Sequence, residues 1–223
     1  MIILYCVSCC AHNRLVSSRE QISVIHALRV KGFATIGAIA VFTGLDHVTV
    51  DGLVAELAGV ELVRFRGEPL NAWALSDAGR ARHAELIADE RAVLDASGGS
   101  AAVAALHGRF LKLNEPFKQL CTDWQLGGRT PERMVTLDRL HANVMLLIDP
   151  EATPLVGLGL DRLGLDRLGV YVTRFEHAVA RVRDGDDAAL TRPLTESYHD
   201  VWMELHEDLL TTLGLERSTI DGS

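Results

Sequence analysis

The chain has 223 residues, 48% of them hydrophobic and 23% charged, a composition that suits one large buried core or two modest ones. A formal net charge of -8 excludes a nucleic-acid surface spread over the whole molecule, so any contact with a polyanion has to be local. Aromatics are sparse at 5%, and the richness in Ala, Leu and Val favours helix.

Residues 1–17 begin with an apolar stretch too short to span a bilayer. They lack the basic region and cleavage site of a secretory signal, so an unstructured leader is expected. Cys6, Cys9 and Cys10 form a C-x-x-C-C cluster there, and Cys121 does not complete a metal-ligand spacing with them. Such an odd cluster does not make a secreted disulfide framework, which points to the reducing cytoplasm. With Ser18 as N-cap, a first helix is expected over 19–31, carrying Ile22, Ile25, Leu28 and Val30 and ending at Gly32. His26 lies beside that stripe as a packed histidine.

Residues 34–43 read as a short apolar helix, and Gly44-Leu45 as a turn. Asp46 is placed to cap a second helix running to Gly59, with Val50, Leu53, Val54 and Leu57 facing inward. Residues 60–66 have strand composition, Gly67-Glu68-Pro69 turns the chain, and 71–75 returns. Ser76 then caps a helix entered through Asp77 and running to about Asp95. Ala96–Ser100 is small, flexible and polar, the composition of a linker. A first domain over 18–95 and a second over 101–216 are therefore expected.

This order of elements resembles the MarR-type and PadR-type bacterial regulators. The resemblance rests on the Thr43-Gly44-Leu45 turn, the Leu57 and Leu62-Val63-Arg64 exit, and the Leu75-Ser76-x-x-Gly79 restart. It covers about a third of the chain. It implies a winged helix-turn-helix whose second helix enters the DNA major groove while the wing touches the backbone or minor groove. On this chain the implied DNA-contacting residues are His47, Thr49, Asp51 and Gly52 on the helix, with Arg64 and Arg66 on the wing.

Departures from the family pattern fall where DNA would be read. The outward helix positions carry Asp51 and Glu56, Asp46 precedes them, and no Lys or Arg accompanies them. That is a poor footprint for phosphate neutralisation. Arg64 and Arg66 are two apart on a strand and share a face, so the wing keeps the basic signature. Glu61 stands where relatives commonly carry glycine, which places the expected helix exit at Gly59.

Beyond residue 100 the pattern becomes a sustained stripe at alternating three- and four-residue steps: Val103, Leu106, Phe110, Leu113, Phe117, Leu120 and Trp124. Pro116 predicts a kink or a restart capped by Asn114. Thr130-Pro131 opens a further helix with Leu137, Leu140, Val144 and Leu147 aligned. Residues 158–169 contain Gly-Leu-Asp-Arg-Leu twice in tandem, and a five-residue period fits neither helix nor strand, so a duplicated connection is expected. A third stripe runs through Tyr171, Phe175, Ala178 and Val182, and a fourth through Leu194, Tyr198, Val201, Leu205 and Leu209.

The expected fold is thus mainly α: an N-terminal winged helix-turn-helix of three helices and a β-wing, followed by an antiparallel helical bundle. Leu111-x-x-Asn114, Cys121-Thr-Asp-Trp-Gln125 and Ser197-Tyr-His-x-Val-Trp-x-Glu-Leu-His-Glu207 resemble a helical region of actinobacterial regulator-like proteins. Some of those relatives are associated with pyruvate phosphate dikinase-type enzymes.

Asp123, Trp124 and Gln125, together with Tyr198, His199, Trp202 and His206, are more polar than a plain helical seam requires. They could line a small-molecule cleft, or be hydrogen-bonded core groups. No nucleophile elbow, nucleotide loop, dinucleotide fingerprint or zinc spacing occurs, so neither an enzyme nor a cofactor or metal is expected. The function expected from sequence is a cytoplasmic, homodimeric regulator of double-stranded DNA, open to a small-molecule effector and without a membrane role. The alternative is a winged-helix interaction or accessory protein beside phosphoenolpyruvate or pyruvate metabolism.

Overall fold

The computed structural model describes residues 19–148 and 167–215. The leader with its cysteine cluster, the Ser18 cap and most of the tandem pentapeptide lie outside the described residues. Those described are mainly helical, with nine helices and one two-stranded antiparallel sheet. No single helix among them is long and apolar enough to cross a membrane. The chain divides into two compact units, residues 1–84 and 85–223.

In the first unit, α1 (Arg19–Lys31), α2 (Ile36–Thr43) and α3 (His47–Gly59) follow one another closely. Thr35 caps α2 by accepting from Ala38 N–H, and Gly44 ends it in the left-handed conformation. Asp46 then caps α3, its carboxylate accepting from the N–H groups of Val48 and Thr49 at 3.0 Å each and from the Thr49 hydroxyl at 2.7 Å. Across the three residues Gly44, Leu45 and Asp46 the chain turns by 111° from α2 to α3. The helices close on a core of Val24, Ile25, Leu28, Ile39, Phe42, Val50, Val54 and Leu57.

The helix exit differs from expectation. Gly59 stays within α3, and the left-handed residue is Glu61, at φ +61°. From there Leu62 N–H returns to Leu57 O at 2.9 Å. Strand β1 (Val63–Arg66) pairs with β2 (Ala72–Leu75) in the register Val63↔Leu75, Arg64↔Ala74, Phe65↔Trp73 and Arg66↔Ala72. Ala34 adds a bridge on the other side of β2, exchanging two hydrogen bonds with Trp73. Ala34 is therefore sheet rather than the start of α2, because Thr35 takes the cap. Strand β1 is left at the edge.

Ser76 joins the hairpin to α4 (Asp77–Ser97). Its hydroxyl donates to Glu61 O at 2.6 Å and accepts from Gly79 N–H at 3.0 Å. A side chain at Gly79 would run into the Leu62 carbonyl, so glycine allows this close approach. Within the first unit α4 also meets α1, where the His26 and His83 rings stack and their Nδ1 and Nε2 lie 3.1 Å apart.

The expected linker at 96–100 is almost wholly helical. Helix α4 runs to Ser97, Gly98 alone breaks the chain at φ +75°, and α5 (Gly99–Gly127) starts at once. The division between units falls earlier, inside α4. Nor does Pro116 restart α5, which runs through it unbroken. A proline interior to a helix costs one backbone bond, and here the exposed side of α5 bears the loss.

In the second unit α5 packs against α6 (Pro131–Ile148) and α9 (Tyr198–Leu213), and α7 (Leu168–Arg183) packs against the same two. The four close a ring around Phe110, Phe117, Leu137, Val144, Phe175, Val201, Trp202 and Leu205. A short α8 (Ala188–Thr191), not foreseen from the sequence, precedes α9. Leu194 lies outside α9, exposed and at φ +62°, since Ser197 and Asp200 form a capping box that starts the helix at Tyr198.

Candidate nucleic-acid interface

The sequence-predicted DNA residues occupy one helix and one hairpin of the first unit. On α3, His47, Asp51 and Gly52 are exposed and Thr49 is half-buried. Thr49 is committed to the cap, since both its N–H and its hydroxyl bind Asp46. These hydrogen bonds, the Thr49 backbone first, hold the Asp46 carboxyl below its ordinary pKa and keep it anionic. Val48 stands out from the helix with 83% of its surface exposed. Further along the same face come Ala55 and Glu56, the latter accepting from Gln21 Nε2 at 2.9 Å. No cation belongs to α3.

Arg64 and Arg66 are both exposed on β1. The strand register sets them on one face with Ala72 and Ala74. Phe65 and Trp73 share the opposite face, their rings in edge contact at 5.3 Å. That aromatic pair was missed from the sequence. Alternation along β1 put Phe65 with Val63, and Val63 is indeed buried, but the core ends one pair short of Phe65.

The second set of candidates is divided between a column of rings in the second unit and the far end of α5. Tyr198 and Trp202 are wholly buried in a column of rings, with Phe117 stacked on Trp202 at 4.2 Å and Phe175 against Tyr198 at 4.8 Å. Trp202 Nε1 donates to Asn114 Oδ1 at 3.0 Å, and the Tyr198 hydroxyl meets His141 Nδ1 at 3.4 Å. His206 stacks on His107 at 5.6 Å. His199, half-buried, lies over Phe117, and burial lowers its pKa.

Trp124 is two turns further along α5 than Phe117, and its indole N–H donates to Asp187 O at 3.2 Å. Asp123 accepts from Gln119 at 2.8 Å, and Gln125 faces outward. The polar groups of Tyr198, Trp202, Trp124 and Asp123 thus meet protein groups, and His199 and His206 lie against the rings of Phe117, Phe110 and His107. Tyr198 and Trp202 are hydrogen-bonded core groups.

Around this column the second unit holds charges that sequence reasoning also missed. Arg167 donates to Asp208 at 2.9 Å, Glu90 at 2.6 Å and the Thr212 hydroxyl at 2.6 Å. Arg174 donates to Glu196 at 2.7 Å and Glu204 at 2.6 Å. These are long-range pairs between side chains that look like solvated helix faces in sequence. Among the described residues no group of three or more His, Cys, Asp or Glu could hold a metal ion.

Comparison of the chain with protein families, with curated proteins and with solved structures finds no match in any of the three.

Proposed function

We propose that the chain is a cytoplasmic transcriptional regulator of the MarR/PadR kind, binding double-stranded DNA through a winged helix-turn-helix in its first unit. The observation that carries this reading is the 111° turn between α2 and α3 across three residues beginning with glycine, with a hairpin following directly. Helix-turn-helix pairs cross at roughly 90–120° through turns of this length. The bridge from Ala34 to Trp73 supports it further, since it ties the hairpin to the start of α2. Helix α3 would then enter the major groove, with Arg64 and Arg66 on phosphates. The second unit, read as an antiparallel bundle, would dimerise two copies so that a two-fold protein meets two half-sites.

A salt titration tests the reading. Binding to duplex DNA should weaken log-linearly with salt, and Arg64→Ala with Arg66→Ala should reduce the slope by about one for each phosphate no longer neutralised. Affinity that is absent for duplexes taken from upstream of the protein's own gene, and for a random duplex pool, would overturn it.

A second reading is favoured by one observation. The outward face of α3 offers Val48, Asp51 and Glu56 and no cation, a surface suited to a basic protein partner. Asp51→Lys separates the two. It should tighten non-specific DNA binding where α3 lies near phosphates, and leave DNA binding unchanged where α3 faces a protein.

A further inference from the structure

We infer that the hairpin is a wedge as well as a clamp: Phe65, backed by Trp73, stacks against a base step of the duplex and partly opens it. The inference rests on the DNA-binding reading above and adds a mode of recognition to it.

The hairpin is chemically two-faced. Arg64 and Arg66 project on one side, Phe65 and Trp73 on the other, and alternation along β1 fixes that division. On the aromatic side Val63 and Leu75 are buried at the root of the hairpin, whereas Phe65 keeps 53% of its surface exposed. An aromatic held out on an edge strand is a liability for a free protein, because the edge can recruit other strands. Here it is flanked in sequence by two exposed cations, which favours a polyanion with apolar faces over a purely apolar partner. Duplex DNA has both properties at once, in its phosphates and its base stack. The one carboxylate between β1 and β2, Glu68, accepts from Asn71 Nδ2 at 2.7 Å, which ties it back to the turn.

Protein wedges of Phe, Leu, Ile or Met unstack base steps from the minor groove, most easily at pyrimidine–purine steps, which are the flexible ones. The ring of Phe65 suits that task because Trp73, opposite it on β2, braces it in edge contact at 5.3 Å. The hairpin would therefore discriminate by deformability, preferring duplexes with TpA or CpA steps over stiff A-tracts. Specificity of this kind needs no cations on α3.

The experiment uses the full chain and duplexes of equal length, with 2-aminopurine at a TpA step or within an A-tract. Binding should raise 2-aminopurine fluorescence at the TpA step and not in the A-tract. Phe65→Ala should abolish the rise and weaken binding to the TpA duplex by about tenfold, on the scale of stacking on a single base. Its salt slope should stay that of the wild type, because the arginines remain. Phe65→Leu should restore much of the signal, which a fold defect would not allow. Binding without a fluorescence rise, or a rise that survives in Phe65→Ala, overturns the wedge while leaving DNA binding intact. Absence of any duplex binding by the wild type removes the parent reading instead.

Discussion

The Trp202 indole N–H donates to the Asn114 amide oxygen across the second unit, and both residues are buried. Replacing Asn114 with Leu leaves that N–H without this acceptor, at a cost of about 1–3 kcal/mol. Trp202→Phe removes the donor as well, so the double variant should be destabilised by less than the sum of the singles. Urea unfolding followed by circular dichroism measures this. Strict additivity would show that the bond contributes nothing.

Arg167 and Asp208 form an ion pair in which the Asp208 side chain is fully buried and also bound by the Tyr171 hydroxyl at 3.2 Å. Arg167→Met strands that carboxylate and should cost about 3–5 kcal/mol. Arg167→Met with Asp208→Leu should recover part of the loss, since the fully buried carboxylate goes with its partner, while Glu90, the other anion on Arg167, keeps 20% of its side chain exposed to water. A double variant less stable than Arg167→Met would contradict the account.

His141 is held neutral. Burial lowers its pKa, and the Glu176 carboxylate, 3.5 Å from Nε2, offsets this only in part. A base whose folded pKa lies below its unfolded value of about 6.5 binds fewer protons when folded. Its contribution to stability is therefore present above pH 6.5 and is lost as pH falls through the lowered folded value. His199 acts in the same direction. Unfolding free energy should drop between neutral pH and mild acid, and His141→Gln should flatten that slope. A slope identical in the variant would acquit His141.

Glu61 sits at φ +61°, where residues bearing a Cβ are strained by about 1–2 kcal/mol. Glu61→Gly relieves the strain but adds freedom to the unfolded chain, so a net gain of up to roughly 1 kcal/mol is expected. Glu61→Ala should not share it. Thermal melts of the two variants decide the matter.

Helix α3 was legible because local chemistry and tertiary demand agree there: Asp46 caps it, and its four inward residues recur at helical spacing. The Ser76 and Thr130 caps were readable for the same reason. Misreadings arose where packing overrode a local rule. Gly98 and Gly99 look like a linker, yet Gly99 is buried at the start of α5 and only Gly98 needs a left-handed turn. Pro116 looks like a helix breaker, yet stripes on both sides of it face one core. Asn114 looks like a cap, and its real partner, Trp202, lies 88 residues away.

The candidate sites divide along the same line. That Arg64 and Arg66 share a face follows from strand alternation alone. The aromatic column does not, because Tyr198 and Trp202 show polar atoms in sequence whose partners belong to other helices. A polar-aromatic cluster reads identically whether a ligand or a neighbouring side chain satisfies it. Only the distances to Asn114, His141 and Asp187 separate the two.

Ser76 grips Glu61 and Leu62 by hydroxyl and backbone, so the hairpin leaves and re-enters the helical body at nearly one point. Such a closed excursion is a cassette. Segments of other length and sequence could be grafted between Leu62 and Ser76, provided the residue at 73 keeps its backbone pairing with Ala34. The helices that surround the graft would keep their own hydrogen bonds and core packing throughout. Lineages and protein engineers alike could change what this arm touches while inheriting the rest of the unit unaltered.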